Sequence, residues 1–223
     1  PVGGYNIVTI KDDTVIYEER NPLTDKQREW ARVKLFQHDF AADTNHYFRP
    51  SYVVNQVYEK VKMAWQFSDN GDIGSGAAIG RNKVILSNSN GVIYALSLKT
   101  GGKLWAFSSA GKIYSTPEVR KKLVVVASTD GNIYCLNAES GSLVWKFGTQ
   151  HPVVANQLIK NNTVVIGAGD GHFRALDLKT GKLKWDFNGV KGFVVTKPLF
   201  YKDKLYFGSW GTEFYALNSE TGA

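Results

Sequence analysis

The side chains able to do chemistry are few, and their spacing does not assemble a reactive centre. The four histidines are His38, His46, His151 and His172. None stands at metal-ligand spacing from another histidine, a cysteine or a carboxylate cluster, so solvent-exposed loop histidines are expected. Cys135 is the only cysteine, which excludes an intrachain disulfide. It fills a slot occupied elsewhere by Ala95, Ala175 and Ala216, so it reads as a small buried apolar group rather than a nucleophile. There is no Gly-x-Ser-x-Gly elbow and no phosphate-binding glycine loop. The glycines of Gly71-Asp72-Ile73-Gly74-Ser75-Gly76 suit a turn and a narrow inner strand better than a dinucleotide site. No catalytic residue, metal ligand or cofactor-binding residue is therefore expected.

Bulk properties narrow the class further. A hydrophobic share of 43% with 13% aromatics belongs to a globular protein with a real core. No apolar run approaches the roughly 20 residues that span a bilayer, and no signal-like start names a compartment. The net charge of +7 lies wholly outside residues 1–62, where nine basic and nine acidic side chains balance. The surplus lysines fall in recurrent turns, as at Lys99, Lys121, Lys122, Lys179 and Lys202. That distribution argues for a solvated surface rather than a nucleic-acid stripe.

What organises the chain is a repeat. Trp65, Trp105, Trp145 and Trp185 stand 40 residues apart, each opening a Trp-x-Phe phrase. A period near 40 marks units that bury their apolar faces only by stacking on neighbours. Within each unit, Asn90-Gly91, Asp130-Gly131 or Asp170-Gly171 signals a hairpin, with Gly211-Thr212 a degenerate fourth. An alternating strand follows, for example Ile133-Tyr134-Cys135-Leu136. A second turn then reads Asn137-x-x-Ser140-Gly141-x-x-x-Trp145, or in its fullest copy Asp177-x-x-Thr180-Gly181-Lys182-x-x-Trp185. Its short polar acceptor closes the turn on backbone amides. Four short antiparallel strands per 40 residues describe a propeller blade. The last offset is 41, with the extra residue expected near Lys197.

This second-turn phrase resembles the tryptophan-docking motif of the PQQ-like (quinoprotein-type) β-propeller family, over residues 63–223. Trp65, Trp105, Trp145 and Trp185, with Gly101, Gly141 and Gly181, are the positions matching that motif. The resemblance implies indoles docked on the turns of adjacent blades, in rings of six to eight blades. It implies two functional alternatives. Some members bind pyrroloquinoline quinone with calcium, a catalytic aspartate and a disulfide between adjacent cysteines. That pattern is not met here, because a single cysteine cannot supply the pair and no calcium-ligand set can be mapped. Others are non-catalytic scaffolds, as in outer-membrane assembly lipoproteins and sensor ectodomains.

The expected fold is therefore an all-β incomplete propeller over 63–223, preceded by a small α+β segment over 1–62. Residues 60–67 are expected as an orphan outer strand, bringing the strand count of the repeat region to sixteen. An open arc of this kind is expected to belong to a larger, exported (periplasmic or extracellular) bacterial protein, to close by self-association, or to close as a small four-bladed ring through the orphan strand. In the first segment, residues 5–10 and 14–19 flank a turn at Lys11-Asp12-Asp13 and read as a hairpin. Thr24-x-x-Gln27 reads as a capping box opening a helix to about Phe36, and residues 37–51 read as irregular. That segment resembles the end of a calcineurin-like metallophosphoesterase domain, whose metal motifs are met only by Asn45-His46. The strand order puts the Trp-strand exits and the Asp-Gly hairpins on one face. That face would offer Lys112, Asp130, His151, Asp170, Lys191 and Trp210 to a protein or small-ligand partner, with Trp210 as aromatic anchor.

Overall fold

The computed structural model describes residues 5–21, 27–34 and 62–223. The chain divides into two compact units, Pro1–Lys62 and Met63–Ala223. Every regular element among the described residues is a β-strand.

In the first unit, β1 (Tyr5–Lys11) and β2 (Thr14–Arg20) form the hairpin expected around Asp12. Lys11 faces Thr14 across the turn, and Asp12 adopts φ 55°. The expected helix is corrected: Gln27–Lys34 is a third strand, β3. It pairs antiparallel with β2, from Thr14↔Lys34 to Arg20↔Gln27. The residues of β3 are good helix formers, but propensity is a weak prior against an unpaired strand edge. Trp30 decides the contest by packing on Tyr17 at 5.2 Å between ring centroids and donating through Nε1 to Asn6 Oδ1 at 3.2 Å. Thr24, residues 37–51, His38 and Asn45-His46 lie outside the described residues.

The second unit contains three four-stranded meanders and one three-stranded meander, all antiparallel. Blade 1 is β4 (Ala78–Gly80), β5 (Lys83–Ser87), β6 (Val92–Ser97) and β7 (Lys103–Ser108). Blade 2 is β8 (Glu118–Arg120), β9 (Leu123–Ala127), β10 (Asn132–Asn137) and β11 (Leu143–Gly148). Blade 3 is β12 (Leu158–Lys160), β13 (Thr163–Gly167), β14 (Phe173–Asp177) and β15 (Leu183–Phe187). Blade 4 is β16 (Leu199–Tyr201), β17 (Lys204–Gly208) and β18 (Phe214–Asn218). The arc thus holds fifteen strands among the described residues. Residues 62–67 take no strand assignment, which removes the sixteenth.

The central strands are apolar on both faces, as Leu123–Ala127 shows, because each face is covered by a different blade. Val125, Ala127, Ile133 and Cys135 join the core shared with blade 3. Val124, Val126, Tyr134 and Leu136 join the core shared with blade 1. The blade 4 sheet is covered on one side only. Phe214 is 73% exposed, whereas its counterpart Phe173 in β14 is fully buried.

The equivalent amide bonds to the hairpin glycine carbonyls locate the extra residue. They run Ser109 N→Gly91 O, Thr149 N→Gly131 O and Val190 N→Gly171 O. The 40-residue interval has already become 41 at Val190, so the insertion lies at 188–190 and not near Lys197. β15 correspondingly ends at Phe187, whereas β11 runs on to Gly148. In this register Thr212 takes the place of the hairpin glycines and holds φ 65°, a strained setting for a β-branched residue.

Candidate interaction face

Two ends of the blades could carry a site, and they differ in what occupies them. At one end lie the turns that close β6 on β7, β10 on β11 and β14 on β15. Asp177 Oδ1 accepts the Lys179 and Thr180 amides at 3.0 and 2.9 Å, and Asn137 Oδ1 does the same for Glu139 and Ser140 at 2.8 and 3.2 Å. The glycine that ends each turn has φ between 70° and 76° at Gly101, Gly141, Gly181 and Gly222. An indole from the preceding unit lies flat against it. Trp65 donates through Nε1 to Leu98 O at 3.0 Å, and Trp105 to Ala138 O at 3.1 Å. Trp145 donates to Leu178 O at 2.9 Å, and Trp185 to Ser219 O at 3.2 Å.

A Cβ added at Gly181 would meet Trp145 Cδ2 at 2.6 Å, and one at Gly141 would meet Trp105 Cδ2 at 2.7 Å. Gly181→Ala therefore combines an overlap with a left-handed backbone that costs a Cβ-bearing residue about 1–2 kcal/mol. We expect a loss of about 2 kcal/mol or more in urea unfolding. Gly102→Ala, whose Cβ meets only Thr100 Oγ1 at 3.3 Å, should change little. Equal losses for the two would contradict the packing.

At the other end the inter-blade loops and the hairpins form one hydrogen-bonded rim. Thr129 N donates to Lys112 O at 2.9 Å, Thr149 N to Gly131 O at 2.7 Å, Gly169 N to Pro152 O at 3.1 Å and Trp210 N to Phe193 O at 3.0 Å. The six residues Lys112, Asp130, His151, Asp170, Lys191 and Trp210 all lie along this rim, but their roles differ. Asp130 is spent internally, accepting the Ala110 and Asn132 amides at 3.0 Å each and the Tyr134 hydroxyl at 2.6 Å. Burial pushes its carboxyl up, but the bonds from Tyr134, Asn132 and the backbone amides outweigh burial and hold it below the usual range. The same burial and the bond to Asp130 raise Tyr134 to about 12. Asp170, with its side chain 1% exposed, is bound by Arg174 at 3.0 and 2.7 Å. Burial raises it too, and the Arg174 bonds and charge overcome that, leaving it lowered. Both carboxylates are thus engaged within their own blades.

Lys112 and His151 are exposed on the rim. Lys191 pairs with Glu213 at 2.6 Å and remains 75% exposed at its side chain. Trp210 is 70% exposed and stacks on Phe193 at 5.3 Å with an interplanar angle of 20°. Phe193, itself 42% exposed, escaped the sequence reading because the misplaced insertion hid its position under Trp210. His172 departs from the expected exposed loop histidine, since its Nδ1 lies 2.9 Å from Asp186 Oδ1. Cys135 is fully buried, and burial pushes its thiol up to about 12. Among the described residues no group of three histidine, cysteine or acidic side chains could hold a metal. No helix of the described residues is long and apolar enough to cross a membrane.

Comparison with solved structures agrees with this architecture. BamB from Moraxella catarrhalis is 26% identical with a TM-score of 0.64, over 72% of this chain and 51% of that one. The chain thus spans about half the length of that relative. The computationally designed Ika4 protein matches at 21% identity and TM-score 0.64, over 71% of this chain and 98% of its own. The quinohemoprotein alcohol dehydrogenase ADHIIG from Pseudomonas putida HK5 matches at 17% identity and TM-score 0.64, over 72% of this chain and 35% of its own. These last two likenesses are of fold alone. No curated protein sequence matches the chain. The family described as outer membrane protein assembly factor BamB matches residues 89–223. With its repeated indole-on-glycine contacts and antiparallel blades, the chain belongs to that family of PQQ-like β-propellers.

Proposed function

We propose that the repeat region is a non-catalytic binding scaffold of a larger exported protein, and that its hairpin rim receives a protein partner. The four indoles act as clamps between blades, so that the rim is presented as a rigid surface. The observation that carries this reading is the Trp210–Phe193 stack, an aromatic pair held by a backbone hydrogen bond yet largely open to water. Exposed aromatics flanked by charge, here Lys191 and Glu213, have the composition of interface anchors. Kinship with BamB, a factor described by its role in outer membrane protein assembly, favours a periplasmic partner from that process. The open side of blade 4, with Phe214 exposed, is where further blades complete the ring, from the same polypeptide or a second copy.

The test is photo-crosslinking from position 210 in bacterial cells, with position 99 on the opposite end as control. A specific adduct is expected from 210 and none from 99. For the partner so captured, Trp210→Ala should weaken binding by about 30-fold, the effect of a 2 kcal/mol hot spot. Its thermal stability should stay that of the parent, since the ring is mostly exposed. Unchanged affinity would remove Trp210 as the anchor.

A further inference from the structure

The end of the blades opposite the hairpin rim carries a second feature. A cleft of about 420 Å³ opens between blades 3 and 4 beside the Trp185 indole. The repeat shows how its lining differs from another blade interface. At the interface of blades 1 and 2, Arg81 and Lys83 both reach across to Glu139. The counterparts between blades 3 and 4 are Asn161 and Thr163, facing Glu220. Two long cations have become two short polar side chains, and among the described residues no such ion pair is found beside the cleft.

Three ammonium groups line the opening: Lys160, Lys184 and Lys202. Lys160 Nζ rests 4.5 Å over the Phe200 ring, and Lys202 Nζ lies 5.4 Å from the Tyr201 centroid. Lys184 Nζ donates to Thr163 Oγ1 at 2.7 Å and to Asn162 O at 3.4 Å, both neutral acceptors. The ion pairs among the described residues all lie elsewhere. Asp203 and Glu220 line the same cleft and likewise have no cationic partner among the described residues. Such a site sets three lysines beside two carboxylates, with Lys184 also in the field of Asp177, and adds an aromatic wall at Phe200, so it suits a ligand carrying both an oxyanion and hydroxyl or amino groups. Lysine is well suited to oxyanions as a compact point charge.

We infer that this cleft binds a small polar molecule through a phosphate or carboxylate group, with the oxyanion on Lys160, Lys184 and Lys202 and donor groups of the ligand on Asp203 and Glu220. This is independent of the protein-binding rim, which lies at the other end of the blades.

Calorimetric titration at constant ionic strength tests it, with inorganic phosphate, citrate, glucose 6-phosphate and glucose as probes. Saturable 1:1 binding is expected for glucose 6-phosphate or citrate, weaker binding for inorganic phosphate, and none for glucose. The pair Lys160→Met with Lys184→Met should weaken binding at least tenfold, and Lys112→Met with Lys191→Met on the rim should leave it unchanged. Equal weakening in both pairs would reduce the effect to net charge and overturn the inference. Binding of glucose as tight as that of its phosphate, or no binding of any anion at 20 mM, would overturn it as well. Circular dichroism of both variants checks that the fold is kept.

Discussion

Replacing Trp145 with alanine is expected to lower the unfolding free energy of the propeller unit by about 3–5 kcal/mol, the range for removing a large buried aromatic. The indole is 8% exposed and sits between blades 2 and 3, where it joins the core formed by Val125, Cys135, Val165 and Ala175. Its removal opens a void in that core and leaves the Leu178 carbonyl without the 2.9 Å bond from Nε1. A domain of this size is stable by only about 5–15 kcal/mol, so one indole supports a large part of the whole. Trp145→Phe should recover much of the packing but not the hydrogen bond, falling between parent and alanine. Urea unfolding followed by far-ultraviolet circular dichroism measures all three. An alanine variant within 1 kcal/mol of the parent would show that the indole is not a clamp.

The second large effect is expected at Asp170. Asp170→Ala strands the Arg174 guanidinium, 8% exposed, with only Asp186 at 3.7 Å for compensation. Breaking one half of a buried pair costs about 3–5 kcal/mol. Removing both halves, as Asp170→Leu with Arg174→Met, should cost clearly less than the single change. The pair also predicts an acid limb. The carboxyls of Asp170 and Asp130 both titrate lower in the folded chain than in the unfolded one, where aspartate titrates near 3.9. The unfolded state then binds more protons in that window, so stability rises with pH there. The contribution is present above about pH 4 and lost as pH falls through the folded values. Melting temperatures between pH 7 and pH 2.5 should fall steeply below about 4 in the parent and less steeply in Asp170→Ala. Parallel curves would contradict this assignment.

Much of the arc was readable from the chain, and the reason is repetition. One hairpin signal or one Trp-x-Phe is ambiguous, but in register they fix strand order, turn positions and the contact between neighbouring units. The central strands Leu123–Ala127 and Ile133–Leu136 obeyed the pattern because both faces of the blade 2 sheet are core. Local propensity misled where no repeat disciplined it. Gln27–Lys34 has the composition of a helix and the capping phrase to begin one, yet Trp30 and Val33 are drawn onto the open edge of β2. The candidate face was located by strand order, but sequence could not separate its members. Asp130 and Asp170 look like displayed acids until Tyr134 and Arg174, each four residues on, are found bonded to them. Trp210 stood out as an aromatic in a small-residue slot, whereas Phe193 needed the true place of the insertion. The lysine cleft was hidden because Lys160, Lys184 and Lys202 belong to separate strands and turns that only the packing of blades 3 and 4 brings together.

Cys135 offers the most direct probe of the claim that each indole joins its blade to the next. Its thiol is fully buried, pairs across the strands with Trp145, and lies 4.0 Å from the same Leu178 carbonyl that the indole binds. Reaction with a thiol reagent under native conditions therefore reports opening between blades 2 and 3. Trp145→Ala is expected to speed that reaction by roughly a hundredfold, the kinetic equivalent of about 3 kcal/mol. Trp65→Ala, which disturbs the contact at Leu98 on blade 1, should speed it far less. Equal rates in the parent and both variants would contradict the account.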